Sequence, residues 1–312
     1  MNRRRIVSAI ALAFTASLAL LAQQPATQPL VRENATEKIS PHVYWIPDGD
    51  VPQVSNIGIV VGSRATLVID TGLGPRNGQT AAREAAKVSR GGEHYLAMTH
   101  YHAEHDLGAQ GFPASTRVIR SKVQDQDLAE LGLATAINFA TQNAFNTELL
   151  RGVNFRKTDI SFDREHRLDL GGVHVRIVGT GPAHTRGDTV FLIEEDRVLF
   201  TGDVVMPAFP AFQPTYSSVR TWSSILDRLD AMKPAVIIPS HGRRGDGSMI
   251  ATYRDYFRAL QTRAAELRTQ GRSSEEAAKA LQDEMPKTFP GLAYRGANRV
   301  TLAAQVAYGE AQ

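Results

Sequence analysis

The 312-residue chain contains no cysteine. That single absence removes disulfides, thiolate metal ligands, cysteine nucleophiles and lipid anchoring through a cysteine. Any metal site must be assembled from His, Asp and Glu, a donor set suited to zinc, iron or manganese. Disulfides are not needed, because a chain of this length with 42% hydrophobic residues can bury one large core or two smaller ones. An excess of one charge is missing too: 35 Lys and Arg stand against 32 Asp and Glu, a formal net charge of +3. No basic run is interleaved with aromatics, so nucleic acid is not an expected partner.

Long apolar runs are confined to the N-terminus. Asn2-Arg3-Arg4-Arg5 precedes Ile6 to Ala22, an apolar stretch with small polar interruptions, and Gln23 to Gln28 is a polar exit containing proline. This order matches a secretory signal peptide over residues 1–22, cleaved after Ala22. The competing reading is a retained anchor, since the run approaches the spanning minimum of roughly 17 residues. Arg4-Arg5 also permits twin-arginine export. The expectation is a periplasmic or secreted protein with no stable membrane association after processing. A linker is expected over 23–40, one domain over 41–245 and a helical C-terminal extension over 246–312, packed on that domain.

Beyond the linker, β-branched and aromatic runs alternate with helical periodicity. Strands are expected at His42–Ile46, Asn56–Val61, Ala65–Ile69, Tyr95–Met98, 117–120, Ile160–Phe162, Val173–Val178, Thr189–Ile193, Arg197–Phe200 and Ala235–Ile238. Helices are expected from about Asn77 to Val88, over most of Lys122–Leu150, from about Ser218 to Met232, and through the C-terminal extension, where Ser273 with Glu276 is a capping-box signature. The hairpin closing on Asp70 and the hairpin closing on Asp203 echo each other and suggest a duplicated sheet half. Such alternation implies sheet layers covered by helices.

The densest chemistry lies in Thr99-His100-Tyr101-His102-Ala103-Glu104-His105-Asp106, directly after an apolar strand. Nine His scattered at random over this length would give a His-x-His-x-x-His spacing only about 0.008 times. Three solvated loop histidines are therefore a poor explanation. Asp70, Asp203 and His241 also stand where apolar strands end, and His184 lies in the loop after another. Functional groups gather at such strand ends. His42, His94, His166 and His174 match no such position and read as structural or surface residues.

Together, Asp70-Thr71-Gly72, His100 to Asp106, His184, Thr201-Gly202-Asp203 and Ser240-His241-Gly242 resemble the metallo-β-lactamase superfamily, in order, over roughly residues 41–245. One letter departs: Glu104 stands where the family's His-x-His-x-Asp-His motif has Asp. The resemblance implies an α/β chain folded as an αβ/βα four-layer sandwich with a two-metal site at one edge. It implies His100, His102 and His184 as ligands of a first zinc, Glu104, His105 and His241 as ligands of a second, and Asp203 bridging both. Iron and manganese are the other metals that such a site would take. Three neutral imidazoles leave an open position on zinc, where a bound water falls to a pKa of about 7. A metal-bound hydroxide would then attack an ester, thioester, lactone or amide bond of a small-molecule substrate.

Asp203 and Glu104 are the catalytic candidates, with Glu104 acting as ligand or base. Asp70 joins them as a carboxylate that could accept an imidazole N–H; its plainer reading is a turn-forming Asp before Thr-Gly. Asp106 is expected in a similar outer part or as a helix cap. Met206–Tyr216, with Phe209 and Phe212, is expected to face substrate or to pack. The Thr-Gly-Asp element is closer to glyoxalase II, lactonase and related hydrolases of the superfamily than to its true β-lactamases. An exported zinc hydrolase therefore stands first and a β-lactamase of the all-His third subclass second. An iron-dependent sulfur dioxygenase and a non-catalytic metal-binding protein, degenerate at Glu104, are the other readings.

Overall fold

Two β-sheets face each other in the computed structural model, which describes residues 28–293 and 298–311. The expected signal peptide lies outside the described residues, and among those described no helix is long and apolar enough to cross a membrane. The first sheet takes its strands in chain order: β1 (Glu37–Lys38), β2 (Val43–Ile46), β3 (Ile57–Val61), β4 (Ala65–Ile69), β5 (Glu93–Ala97), β6 (Arg117–Ser121) and β7 (Ile160–Phe162). The second contains β8 (Glu165–Asp169), β9 (His174–Gly179), β10 (Thr189–Ile193), β11 (Val198–Gly202) and β12 (Val236–Pro239), ordered β12-β11-β10-β9-β8. The helices are α1 (Gly74–Val88), α2 (Ala103–Asp106), α3 (Lys122–Ala140), α4 (Ala144–Leu149), α5 (Val219–Ala231), α6 (Ser248–Thr269), α7 (Ser274–Thr288) and α8 (Arg299–Glu310).

Alternation along the strands sorts side chains into layers. Leu67 and Ile69 of β4 point into the space between the sheets, where they join Val175, Phe191, Val198, Phe200 and Ile238 of the opposite sheet. Val68, between them, points outward with Ile57, Ile59 and Leu96 against Ala81 and Ala85 of α1. On the far side, Leu192, Leu199 and Ile237 meet Trp222 and Leu226 of α5 and the buried faces of α6, α7 and α8. Helix, sheet, sheet, helix is the four-layer sandwich that the resemblance implied.

The two hairpins occupy equivalent places. β3 and β4 pair antiparallel, α1 follows, and β5 returns parallel to β4. β10 and β11 pair antiparallel, α5 follows, and β12 returns parallel to β11. Each half therefore delivers one carboxylate after its hairpin, Asp70 or Asp203, and one histidine after its returning strand, His100 or His241.

Some local expectations differ from the structure. Within the expected linker, Glu37–Lys38 pairs with β2, Val31 is buried, and Asn34 and Thr36 bond Glu84 of α1. A polar composition concealed these contacts because most of them are made by the backbone or by hydroxyls. β8 has no counterpart among the expected strands: its sequence Glu-His-Arg-Leu-Asp buries only Leu168, as suits an edge strand with one wet face. The segment after Asp203 does not carry its aromatic rings to substrate. Phe209 and Phe212 are buried in the core, where Phe212 lies 5.0 Å from the Trp222 ring and Phe209 lies 5.3 Å from Tyr256. An aromatic ring recovers more free energy in that packed layer than at a wet cavity wall.

Candidate metal centre

Every proposed ligand stands at the same edge of the sandwich. His100 follows β5, Glu104 and His105 lie in the short helix α2, His184 is in the β9–β10 loop, Asp203 follows β11, and His241 follows β12. Three groups of donor atoms converge within 4.8 Å of one another: His100, His102 and His184; His100, His105 and Asp203; Glu104, His105 and His241. Among the described residues no other such group occurs. The structure thus brings together all seven residues expected as ligands.

The hydrogen bonds decide which nitrogen of each ring faces inward. A backbone carbonyl can only accept, so His184 donates Nδ1–H to Ala211 at 2.9 Å and His241 donates Nδ1–H to Val54 at 2.9 Å. The Thr99 hydroxyl donates to Asp70 at 3.0 Å and so can accept Nδ1–H from His100 at 3.1 Å. His105 donates Nδ1–H to Asp70 at 2.9 Å. These four rings turn Nε2 toward the centre, and outward N–H bonds of this kind fix the tautomer of metal-binding histidines. His102 presents Nδ1 instead, 3.1 Å from both His100 Nε2 and His184 Nε2. Tetrahedral zinc with Zn–N bonds of about 2.0 Å spaces its ligands by about 3.3 Å, so these three nitrogens fit one cation.

The second group carries the same signature. His105 Nε2, Glu104 Oε2 and Asp203 Oδ1 are buried polar atoms without a hydrogen-bond partner. Burial of such atoms costs free energy unless something satisfies them, and three of them facing one place fit a cation. Glu104 Oε1 is 3.9 Å from His105 Nε2, so the longer side chain still reaches the group. Asp203 lies between the two groups, with Oδ2 3.6 Å from His184 Nε2 and Oδ1 3.9 Å from His241 Nε2.

Electrostatics suit the arrangement. Burial, with the neighbouring histidines, pushes the imidazoles of His100 and His102 well below their ordinary value, and burial also lowers His241. These rings therefore stay neutral and able to donate a lone pair. Burial alone would raise Asp203, but His241, His184 and His105 outweigh it and hold the carboxylate far below the usual range. Asp203 is thus anionic throughout the physiological range.

Of the carboxylates expected to take part in catalysis, Asp70 stands in the supporting place, as the acceptor of an imidazole N–H. Its buried carboxylate accepts from the Thr99 amide at 2.8 Å, the Thr99 hydroxyl at 3.0 Å, the Ser240 hydroxyl at 3.1 Å and His105 at 2.9 Å. With those four donors it ties the ends of both sheets together and does not line the cavity. It also takes φ +65°, the turn geometry that its Asp-Thr-Gly setting suggested. Asp106 caps nothing; it grips Arg120 through two bonds of 2.8 and 2.9 Å. Gly202, just before Asp203, has φ +58°, and a Cβ there would lie 2.9 Å from Thr99 Cβ, so no other residue fits without a shift.

The sequence from 50 to 241 matches the family model described as the metallo-beta-lactamase superfamily. The chain belongs to that superfamily. Its match to the atrochrysone carboxyl ACP thioesterase of Aspergillus fumigatus is 28% identical over 191 residues, 61% of this chain but only 38% of the relative. Among solved structures, the sec-alkylsulfatase Pisa1 from Pseudomonas sp. superposes with a TM-score of 0.70 at 16% identity, covering 88% of this chain and 50% of that one. A metallo-beta-lactamase from Pontibacter korlensis gives 0.53 at 22% identity over 72% of this chain and 98% of its own. These structural likenesses establish the superfamily's fold, with the C-terminal helices added to it.

A cavity of about 540 Å³ opens over the centre, lined by His102, Glu104, His184, Asp203, His241 and Arg299 together with Asp50, Pro52 and Gln53. Two residues of this neighbourhood were not singled out by motif. Asp188 accepts from the His184 and Thr185 amides at 2.7 and 2.9 Å and shapes the β9–β10 loop. Burial pushes its carboxyl up to about 6. Arg299 comes from α8, beyond the matched region. Asp188 stands four residues after His184, a local signal that could have found it, whereas Arg299 has no ligand-type residue near it in sequence and only the folded chain reveals it.

Proposed function

We propose that this chain is an exported two-metal hydrolase of small-molecule carboxylic ester and thioester bonds. The observation that carries the reading is the divided aim of Asp203, whose two oxygens face separate histidines at 3.6 and 3.9 Å. A carboxylate held anionic between two donor groups serves two cations at once, an arrangement that a single-metal site does not need. The donor set of imidazoles and carboxylates suits zinc, the metal taken here, and also accommodates iron or manganese. Similarity to the fungal thioesterase supports the thioester among the candidate bonds. Export rests on the composition of residues 2–22 and is tested by sequencing the mature N-terminus.

When bound, such ions supply Lewis acidity and a water of lowered pKa. The chain itself supplies placement and proton handling. In the reaction, water oxygen bonds the carbonyl carbon, the C–O or C–S bond breaks, and a proton from the water passes to the departing alkoxide or thiolate. Acid and alcohol, or acid and thiol, are the products. Asp203 is too weak a base to carry that proton. Glu104 is the other carboxylate beside the centre on the cavity wall, and whichever of its oxygens a cation leaves free would carry the proton.

The experiment is metal analysis of the purified protein coupled to turnover of ester, thioester, lactone and β-lactam substrates, with Asp203→Ala as control. Two metal equivalents and at least a thousandfold loss of turnover in the control are expected. Full activity in the control would overturn the two-metal reading.

A further inference from the structure

The cavity over the metal centre has one basic side chain among its described lining residues, Arg299. Its other charged lining groups besides the histidines are the carboxylates Asp50, Glu104 and Asp203. Cations at the centre would answer Glu104 and Asp203, leaving the half-buried guanidinium without a carboxylate at ion-pair distance among the described residues. Its described bond is from Nη1 to the Phe209 carbonyl at 2.8 Å. A guanidinium has five N–H donors in a planar fork, so one bond orients it and leaves the rest for a ligand.

The position of Arg299 is fixed from both sides. It opens α8, whose Val300, Ala303, Ala304 and Ala307 are buried against the helical layer. Phe209, which it bonds, belongs to the segment after Asp203 whose Ala211 carbonyl orients His184. That segment is joined to the C-terminal extension again by Ala293 N to Pro207 O at 3.0 Å and by Phe209 N to Ala293 O at 3.1 Å. The guanidinium is therefore held in register with the metal ligands by contacts that join Pro207 and Phe209, inside the superfamily match, to Ala293 and α8, beyond it.

We propose that Arg299 binds a carboxylate on the substrate, so that the preferred substrates are esters or thioesters whose acyl part ends in a free carboxylate. The inference rests on the hydrolase reading above and adds the substrate class. A planar fork in a partly desolvated cavity favours a bidentate carboxylate over a neutral chain of the same length. Arg299 is a specificity residue in this scheme; it takes no part in the bond-breaking step.

The test compares kcat/KM for two thioesters of the uncharged thiol N-acetylcysteamine, glutaryl and pentanoyl, which have the same chain length and differ in the terminal carboxylate. The wild-type chain is expected to favour the glutaryl thioester. In Arg299→Gln the glutaryl-to-pentanoyl ratio should fall at least tenfold, mainly through KM, and Arg299→Lys should lie between. A ratio within twofold of wild type in Arg299→Gln, or a wild-type preference for pentanoyl, would overturn the proposal. If Arg299→Gln does not fold, Arg299→Lys decides by the same ratio, with a fall of severalfold expected and no change counting against it. If neither thioester is hydrolysed, calorimetric titration of the metal-loaded protein with glutarate separates the two readings. Tenfold weaker glutarate binding in Arg299→Gln would support Arg299 while the hydrolase reading failed, and equal binding would overturn the role given to Arg299.

Discussion

His105 donates Nδ1–H to Asp70 at 2.9 Å, while its Nε2 meets no hydrogen-bond partner and faces Glu104 Oε1 at 3.9 Å. One buried ring thus connects the carboxylate that ties the two sheets together with the second donor group. Removing the support should loosen the ligand. Asp70→Ala is expected to weaken metal affinity by about 10–100-fold, the usual cost of losing such an outer partner. Competition with a chelator of known affinity measures it, and an unchanged affinity would mean that His105 is oriented without Asp70.

Glu104 is the position at which the motif departs from the superfamily's pattern. If its carboxylate is a ligand, Glu104→Ala should lower metal content from about two equivalents toward one, whereas Glu104→Asp should retain both. Elemental analysis after dialysis reads the outcome. Full metal content in the alanine variant would confine Glu104 to proton handling.

Acid–base behaviour follows from the same ring. Burial pulls His105 down, but Asp70, Glu104 and Asp203 outweigh it and its pKa is pushed up to about 9. Without a bound cation, His105 is therefore charged at neutral pH, and a cation taking Nε2 must displace a proton. Metal binding between about pH 6.5 and 9 should release about one proton at this group, a release that disappears above pH 9. Calorimetric titrations in buffers of different ionisation enthalpy count the protons. The sign for stability is the same: the charged His105–Asp70 pair stabilises the metal-free fold fully below about pH 6.5. That contribution is lost as the pH rises through about 9. Metal binding at pH 7 with no proton release would contradict both statements.

Next to this ring, Asp106 and Arg120 form a buried ion pair with side chains 2% and 1% exposed. The guanidinium also donates to the Arg156 carbonyl at 2.8 Å and the Thr158 hydroxyl at 3.1 Å, anchoring α2 beside the ligands. Asp106→Ala leaves a buried cation without its partner and should cost about 3–5 kcal/mol. The double replacement Asp106→Leu with Arg120→Met should cost much less, because neither charge remains to be desolvated. Urea unfolding of both variants tests the pair; a single variant that loses less than about 1 kcal/mol would show that water reaches the guanidinium.

Much of the strand order was legible because its causes are local. Runs such as Ile57–Val61 and Val198–Gly202 are β-branched or aromatic and end in turn residues, and each reads as a strand without knowledge of its neighbours. β8 was not legible, because its charged residues are tolerated only at a sheet edge, and an edge is a property of the assembled sheet. The aromatic segment after Asp203 could equally have faced substrate or core until α5 and α6 were placed over it.

The candidate site divides in the same way. The amino-acid sequence alone determined which residues stand at strand exits and that their donor atoms are nitrogen and oxygen, because both depend on residue type and short-range pattern. Tertiary structure decided that His102 presents Nδ1 while its companions present Nε2, that Asp70 supports and does not face the cavity, and that Arg299 enters it. Those outcomes depend on contacts such as Ser240 with Asp70, 170 residues apart, which form only when the two sheets meet. A ring has two nitrogens of similar chemistry, and the partner that claims one of them arrives from elsewhere in the fold.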